Sequence, residues 1–300
     1  MHTKETGRAR AALIASMVIF GTIGVFRRYI PLPSSLIAAM RGLIGMLFLL
    51  GLMAAKRQRP SLADIRRQAP TLFLSGAVLG FNWILLFEAY RYTSVAAATL
   101  CYYMAPMIVI LVSPALFGER MTARRGICVA AALAGMVLVS GVLRVGVTGA
   151  GEMRGILFGL GAAVLYAGVI LLNKRLTGLT AYDRTVVQLG TAAVVLLPYT
   201  MLTETIALDL TGISGGMAMV LAMLLLVGVV HTGVAYALYF GSMKDLPAQT
   251  VALMSYIDPI VAILLGALLL GESMGAMEAV GAVLVLGAAL VSELPERDRT

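Results

Sequence analysis

The chain has 300 residues, of which 60% are hydrophobic and 13% charged, with a net charge of +8 at neutral pH. Soluble globular domains are about 45–50% apolar and about 25% charged, so this composition excludes one and calls for a lipid bilayer. The basic excess lies in short segments between apolar stretches and follows membrane sidedness, which argues against a nucleic-acid-binding face.

A spanning helix needs about 20 apolar residues, and ten such stretches follow one another, near 11–30, 34–55, 70–90, 94–117, 124–143, 154–173, 184–203, 217–240, 247–270 and 275–293. The first, preceded by Lys4, Arg8 and Arg10, resembles a secretory signal, but nine further spans follow and no clear small-residue cleavage site precedes a soluble region, so it is expected to stay as span 1. The connections are short, which leaves no room for a motor or catalytic head, and no phosphate-binding Gly-x-x-x-x-Gly-Lys loop is present. With the amino terminus in the cytoplasm, 17 of the 23 basic residues fall inside and 5 outside, with Arg41 within a span. That bias fits the positive-inside rule with both termini cytoplasmic. Cys101 and Cys128 fall within spans, where a small apolar role is the default.

Spans 4 and 9 repeat one another. Val95 to Pro106 and on to Gly118-Glu119 overlays Ala248 to Pro259 and on to Gly271-Glu272 without a gap. Met17–Arg28 in span 1 overlays Ala163–Lys174 in span 6, at an offset seven residues smaller. The expected units are 1–147 and 148–300, joined by the Gly-rich segment Gly146–Gly151. Each holds five spans, and because five is odd the second unit lies inverted, an arrangement shared by many secondary transporters. The fold class expected is an all-α membrane protein of ten transmembrane helices, built as two inverted five-helix repeats around a central cavity.

The residues Ala89–Ala98, the Pro106 to Glu119 run, Arg41, and Ser255–Pro259 running on to Glu272 resemble the EamA-type, ten-helix branch of the drug/metabolite transporter superfamily, over nearly the whole chain. The resemblance implies alternating access around a central cavity, in an inner membrane, acting on small metabolites, often amino acids and often outward.

Charges buried in hydrocarbon cost several kcal/mol and tend to face protein or a wet cavity. Arg41 is read either as a counter-charge for a substrate carboxylate or as a structural pin. Its counterpart in the second unit is Gln188, so its role is not symmetric. Glu88 is either a carboxylate paired at the interface with Arg91 or Arg27, or a proton-coupling group. Asp258 directly precedes Pro259 where the first unit has Ala105, and that lost symmetry suits binding or coupling. His231 is a further coupling candidate, although a histidine bonded to a neighbouring helix is the commoner case.

Pro106 and Pro259 each remove a backbone donor and are expected to kink helices that line the pathway. Thr99, Tyr102, Tyr103, Gln249, Thr250, Ser255 and Tyr256 cluster around them. Arg41, Asn82 and Tyr166 belong to the same expected cavity, and Phe20, Trp83, Asn173, Tyr236 and Tyr239 could complete the wall. Gly76-x-x-x-Gly80 and Gly155-x-x-x-Gly159 have the small-residue spacing of close helix contacts and are read as internal packing.

These residues point to a secondary active or facilitative carrier exporting small amphipathic metabolites, above all apolar or aromatic amino acids. A carrier of nucleosides, sugars, nucleotide-sugars or cationic drugs is the nearest alternative. A channel or a membrane-embedded enzyme is disfavoured, since no selectivity ring and no catalytic constellation is evident. The expected partners are a small-molecule substrate and the lipid bilayer, with no nucleic acid, for a monomer or weak dimer. No cofactor, no metal and no catalytic residue is expected.

Overall fold

The computed structural model describes residues 2–118, 121–139, 150–204, 216–243, 246 and 254–293. All of its regular structure is helical. Among the described residues seven helical stretches are long and apolar enough to cross a membrane, two of them, Val95–Leu116 and Gly216–Ser242, interrupted along their length, and Ile257–Leu270 and Ala276–Val291 are shorter apolar helices. Side chains such as Leu202, Leu268 and Val283 stay 85%, 77% and 71% exposed, as expected where lipid replaces water as the surrounding solvent.

The spans appear in the expected order. α1 (His2–Arg28) and α2 (Ser34–Ala55) form span 1 and span 2. A short helix not expected from the sequence, α3 (Leu62–Arg67), lies in the next connection, followed by α4 (Ala69–Tyr92). Span 4 is broken into α5 (Val95–Tyr102) and α6 (Ala105–Phe117), and span 5 is α7 (Ala123–Val139). α8 (Ala150–Lys174) and α9 (Ala181–Thr203) form span 6 and span 7. Span 8 is α10 (Gly216–Gly228) and α11 (Ala235–Met243) joined by a π-helical turn, Val229–Val234. Spans 9 and 10 contribute α12 (Ile257–Leu270) and α13 (Ala276–Glu293). The start of span 9, with Gln249 and Thr250, lies outside the described residues.

The helices pair with a two-fold exchange. α4 packs on α8 as α11 packs on α1, α4 packs on α9 as α10 and the π turn pack on α2, and α5 and α6 lie on α8 as α12 lies on α1. Two contacts map onto themselves under this exchange, α2 with α9 and α7 with α13. Close approach depends on missing side chains. A Cβ on Gly21 of α1 would lie 2.6 Å from the Asp258 carbonyl oxygen and 2.7 Å from Val261 Cβ of α12. The two glycine pairs read as internal packing do serve inside the bundle. A Cβ on Gly76 would meet Thr191 of α9 at 2.6 Å, and one on Gly159 would meet Cys101 of α5 at 2.7 Å.

The Gly-Glu pairs mark helix ends. Gly118 and Gly271 both close a helix in the left-handed conformation, at φ 68° and 63°, which costs glycine nothing. Glu272 then turns back onto the amino terminus of α5. Its carboxylate accepts from the Val95 and Ala96 backbone N–H groups at 2.9 and 3.4 Å and from Arg28 Nη2 at 3.1 Å. Arg28 also donates to the Thr93 carbonyl at 3.1 Å. The repeat's other glutamate, Glu119, lies outside the described residues.

Candidate functional site

A cavity of about 290 Å³ lies inside the bundle, with walls drawn from both halves. Its position follows from the break in span 4. At Tyr103 and Met104 the chain makes a turn in place of a continuous helix: Tyr103 N–H still donates to Thr99 O at 3.0 Å, but Met104 N–H reaches only to Cys101 O at 3.1 Å. Pro106 then stands in the first turn of α6, where a missing N–H costs least. Pro259 occupies the matching first turn of α12, after a turn at Ser255 and Tyr256. Both prolines thus mark places where a helix restarts. Pro106 reaches the cavity wall, while Pro259 is buried in the packing.

The wall is mostly aromatic. Tyr102 packs against Tyr166 with ring centres 5.2 Å apart, Tyr103 against Tyr256 at 6.0 Å, and Phe20 against Tyr236 at 5.4 Å and Tyr239 at 6.4 Å. Thr99 lies 3% exposed, its hydroxyl 3.4 Å from that of Tyr90. Tyr90 also lines the cavity, which the sequence reading did not anticipate.

Two opposite charges face this space from different halves. Arg41, on α2, lies over the Trp83 ring at 4.2 Å and 5.5 Å from the Phe87 ring. Its Nε donates to Thr232 Oγ1 at 3.1 Å. Among the described residues its Nη groups have no hydrogen-bond partner and no carboxylate forms an ion pair with it. Asp258, at the start of α12, accepts a hydrogen bond on Oδ2 from Tyr103 Oη at 2.9 Å, and the same hydroxyl lies 3.1 Å from the Ser255 carbonyl. No cation among the described residues pairs with Asp258.

Of the expected cavity residues, Arg41, Thr99, Tyr102, Tyr103, Tyr166, Ser255 and Tyr256 come together in this wall, with Asp258 among them. Asn82 does not: it is buried against α8, its Nδ2 donating to the Ala162 carbonyl at 2.6 Å, while its neighbour Trp83, also expected in the wall, faces the cavity. Asn173 lies in a separate polar cluster, accepting from Ser75 at 3.1 Å and Gln188 at 2.7 Å. Glu88 sits at the end of α4, paired with Arg91 at 3.0 Å and accepting from Ser34 at 2.5 Å. Ser34 in turn accepts from the buried Arg27 at 3.0 Å. His231 is 1% exposed and lies 2.7 Å from Thr22 Oγ1 of α1, beside the Phe26 ring. Cys101 and Cys128 are both free and buried, and no group of three metal-ligating side chains exists among the described residues.

A multi-pass helical bundle that holds a mostly aromatic cavity with an arginine and an aspartate between two exchanged halves has the architecture of a membrane transporter. The chain belongs to the EamA-like transporter family, whose model matches it twice, over residues 8–141 and 153–293. It is 30% identical over 287 residues to the uncharacterized transporter YxxF of Bacillus subtilis (strain 168), covering 95% of this chain and 89% of that protein. It is 28% identical to protein PecM of Dickeya dadantii (strain 3937), with 93% and 90% covered, and 24% identical to protein RarD of Salmonella typhi, with 92% and 91% covered. A solved crystal structure superimposes with a TM-score of 0.65 at 21% identity, over 95% of this chain and 96% of that one, and supports the fold alone.

Proposed function

We propose that this transporter exports zwitterionic amino acids with apolar or aromatic side chains, by alternating access around the cavity between its two halves. The observation that carries the reading is the presence of one unneutralised guanidinium, Arg41, and one carboxyl group, Asp258, not paired with each other, in an otherwise aromatic cavity. Arg41 Nη groups meet the substrate carboxylate, with the bidentate geometry that guanidinium offers. Asp258 meets the ammonium group, and the tyrosine and phenylalanine rings take the side chain.

Of the three coupling candidates only Asp258 lines the cavity. In one half of the cycle it holds the ammonium group and in the other a proton, so that substrate and proton compete for one carboxyl and move in opposite directions. Units 1–147 and 148–300 rock against each other, opening the cavity to one face and then the other. The surplus of basic residues in alternate connections supports a cytoplasmic placement of both termini, in a bacterial inner membrane.

The reading is tested by counterflow in proteoliposomes with three matched solutes: phenylalanine, phenethylamine and phenyllactate. Phenylalanine moves with saturation, and each analogue that lacks one charged group moves at least tenfold less well. Equal transport of all three would overturn the two-charge site.

A further inference from the structure

The third span of each half carries a pair of glycines, and in the second half that pair is stretched by one residue. In α4, Gly76 and Gly80 stand four apart and face α9, where added Cβ atoms would meet Thr191 at 2.6 Å and Leu196 at 3.0 Å. Their equivalents, Gly228 and Gly233, stand five apart and face α2, where added Cβ atoms would meet Ile44 at 2.6 Å and Phe48 at 2.5 Å. The offset between halves is 152 residues at Gly76 and Gly228 but 153 at Gly80 and Gly233, and it remains 153 at Phe87 and Phe240 and at Pro106 and Pro259. The second half therefore carries one more residue between its two glycines than the first.

In an unbroken α-helix, residues five apart lie about 140° apart around the axis, so Gly228 and Gly233 could not both face α2. They do so because the chain is underwound there into the π-helical turn Val229–Val234. Such turns occur often at functional sites, and this one sets a threonine against the cavity's guanidinium. Thr232, fully buried, accepts from Arg41 Nε at 3.1 Å and donates its hydroxyl hydrogen to Val227 O at 3.1 Å. The approach requires Gly45 on α2, since a Cβ there would lie 2.5 Å from Thr232 Cγ2. The neighbouring His231 anchors the turn to α1. Its Nε2 lies 2.7 Å from the Thr22 hydroxyl of α1, which is also 2.7 Å from the Ile19 carbonyl oxygen.

The other half shows what the position does without this device. Gln188, the repeat equivalent of Arg41, has its amide committed to Ser75 at 2.6 Å and Asn173 at 2.7 Å and does not reach the cavity.

We propose that the extra residue in span 8 is a positioning device for substrate recognition. Thr232 holds Arg41 by its Nε over the Trp83 ring, so that both Nη groups are directed at the substrate carboxylate. This rests on the reading of Arg41 as the carboxylate anchor.

Trp83 is the chain's single tryptophan, so its fluorescence reports the Arg41 stack without any substrate. Emission and acrylamide quenching are compared in lipid vesicles that hold no other protein for wild type, Thr232→Val, Thr232→Ser and Arg41→Met, alongside phenylalanine counterflow. Valine keeps the shape of threonine without its hydroxyl, and serine keeps the hydroxyl. The expected result is that Thr232→Val moves the Trp83 signal towards that of Arg41→Met and raises KM for phenylalanine about tenfold with Vmax retained, as loss of one hydrogen bond from a charged donor implies. Thr232→Ser restores both.

A Trp83 signal in Thr232→Val equal to wild type, or an Arg41→Met signal equal to wild type, overturns the proposal. A Trp83 signal displaced in Thr232→Val, in a protein whose wild type moves no amino acid, leaves Thr232 as the holder of Arg41 and sinks the amino-acid reading instead.

Discussion

Glu272→Gln is expected to loosen one end of the pathway. The carboxylate joins the end of α12 to the start of α5, and so ties the second half to the first, through Val95 N–H at 2.9 Å, Ala96 N–H at 3.4 Å and Arg28 at 3.1 Å. Glutamine keeps one acceptor oxygen and loses the charge and the second acceptor. The favourable charge at a helix amino terminus is about 0.3–1 kcal/mol. The Arg28 pair, whose side chains are 39% and 14% exposed, is discounted for solvent to at most about 0.5 kcal/mol, and one lost hydrogen bond adds about 0.5–1 kcal/mol. The total is about 1.5 kcal/mol, or about a tenfold shift between the closed and open forms of that end. A cavity cysteine, Ser255→Cys, made in a background without Cys101 and Cys128, reads this shift through its labelling rate with a membrane-impermeant maleimide added at each face. The rate from the α5 face rises about tenfold with Glu272→Gln and the rate from the other face does not rise. Unchanged labelling at both faces would refute the latch.

Gly21→Ala drives a methyl group into the Asp258 carbonyl and Val261 and is expected to destabilise the protein by about 1–3 kcal/mol, seen as a lower melting temperature in detergent. Tyr103→Phe removes the hydroxyl that bonds Asp258 and is expected to change the pH dependence of transport while the melting temperature stays near wild type. A pH profile identical to wild type would show that the contact is not used. Pro106→Ala lets α5 run on into α6 and is expected to lower turnover severalfold with little loss of stability. An unaltered turnover number would remove the helix break from the mechanism.

The architecture was legible because apolar length alone reports a membrane span, and because the Pro106 and Pro259 runs align without a gap. The wall was legible where tyrosines and an aspartate cluster beside those prolines. The facing of the other helices was not. Helices such as α4 are apolar nearly all round, so no amphipathic period says which side looks inward, and of Asn82 and Trp83, both expected in the wall and one residue or about 100° apart, only Trp83 reaches it. His231 invited a titrating role because of its chemistry, but its partner Thr22 lies 209 positions away and only the fold brings them together. The π-helical turn changes no composition at all. Its one trace in the sequence is the spacing of Gly228 and Gly233 compared with Gly76 and Gly80.

Amino-acid export coupled through Asp258 is tested by flux through the intact protein in proteoliposomes, using labelled apolar and aromatic amino acids, with and without an imposed pH gradient, for wild type and Asp258→Asn. Saturable phenylalanine flux that the gradient accelerates in wild type, and that loses this acceleration in Asp258→Asn, is the result predicted. Absence of amino-acid flux in vesicles shown to hold folded protein, or a gradient response unchanged by Asp258→Asn, would contradict it.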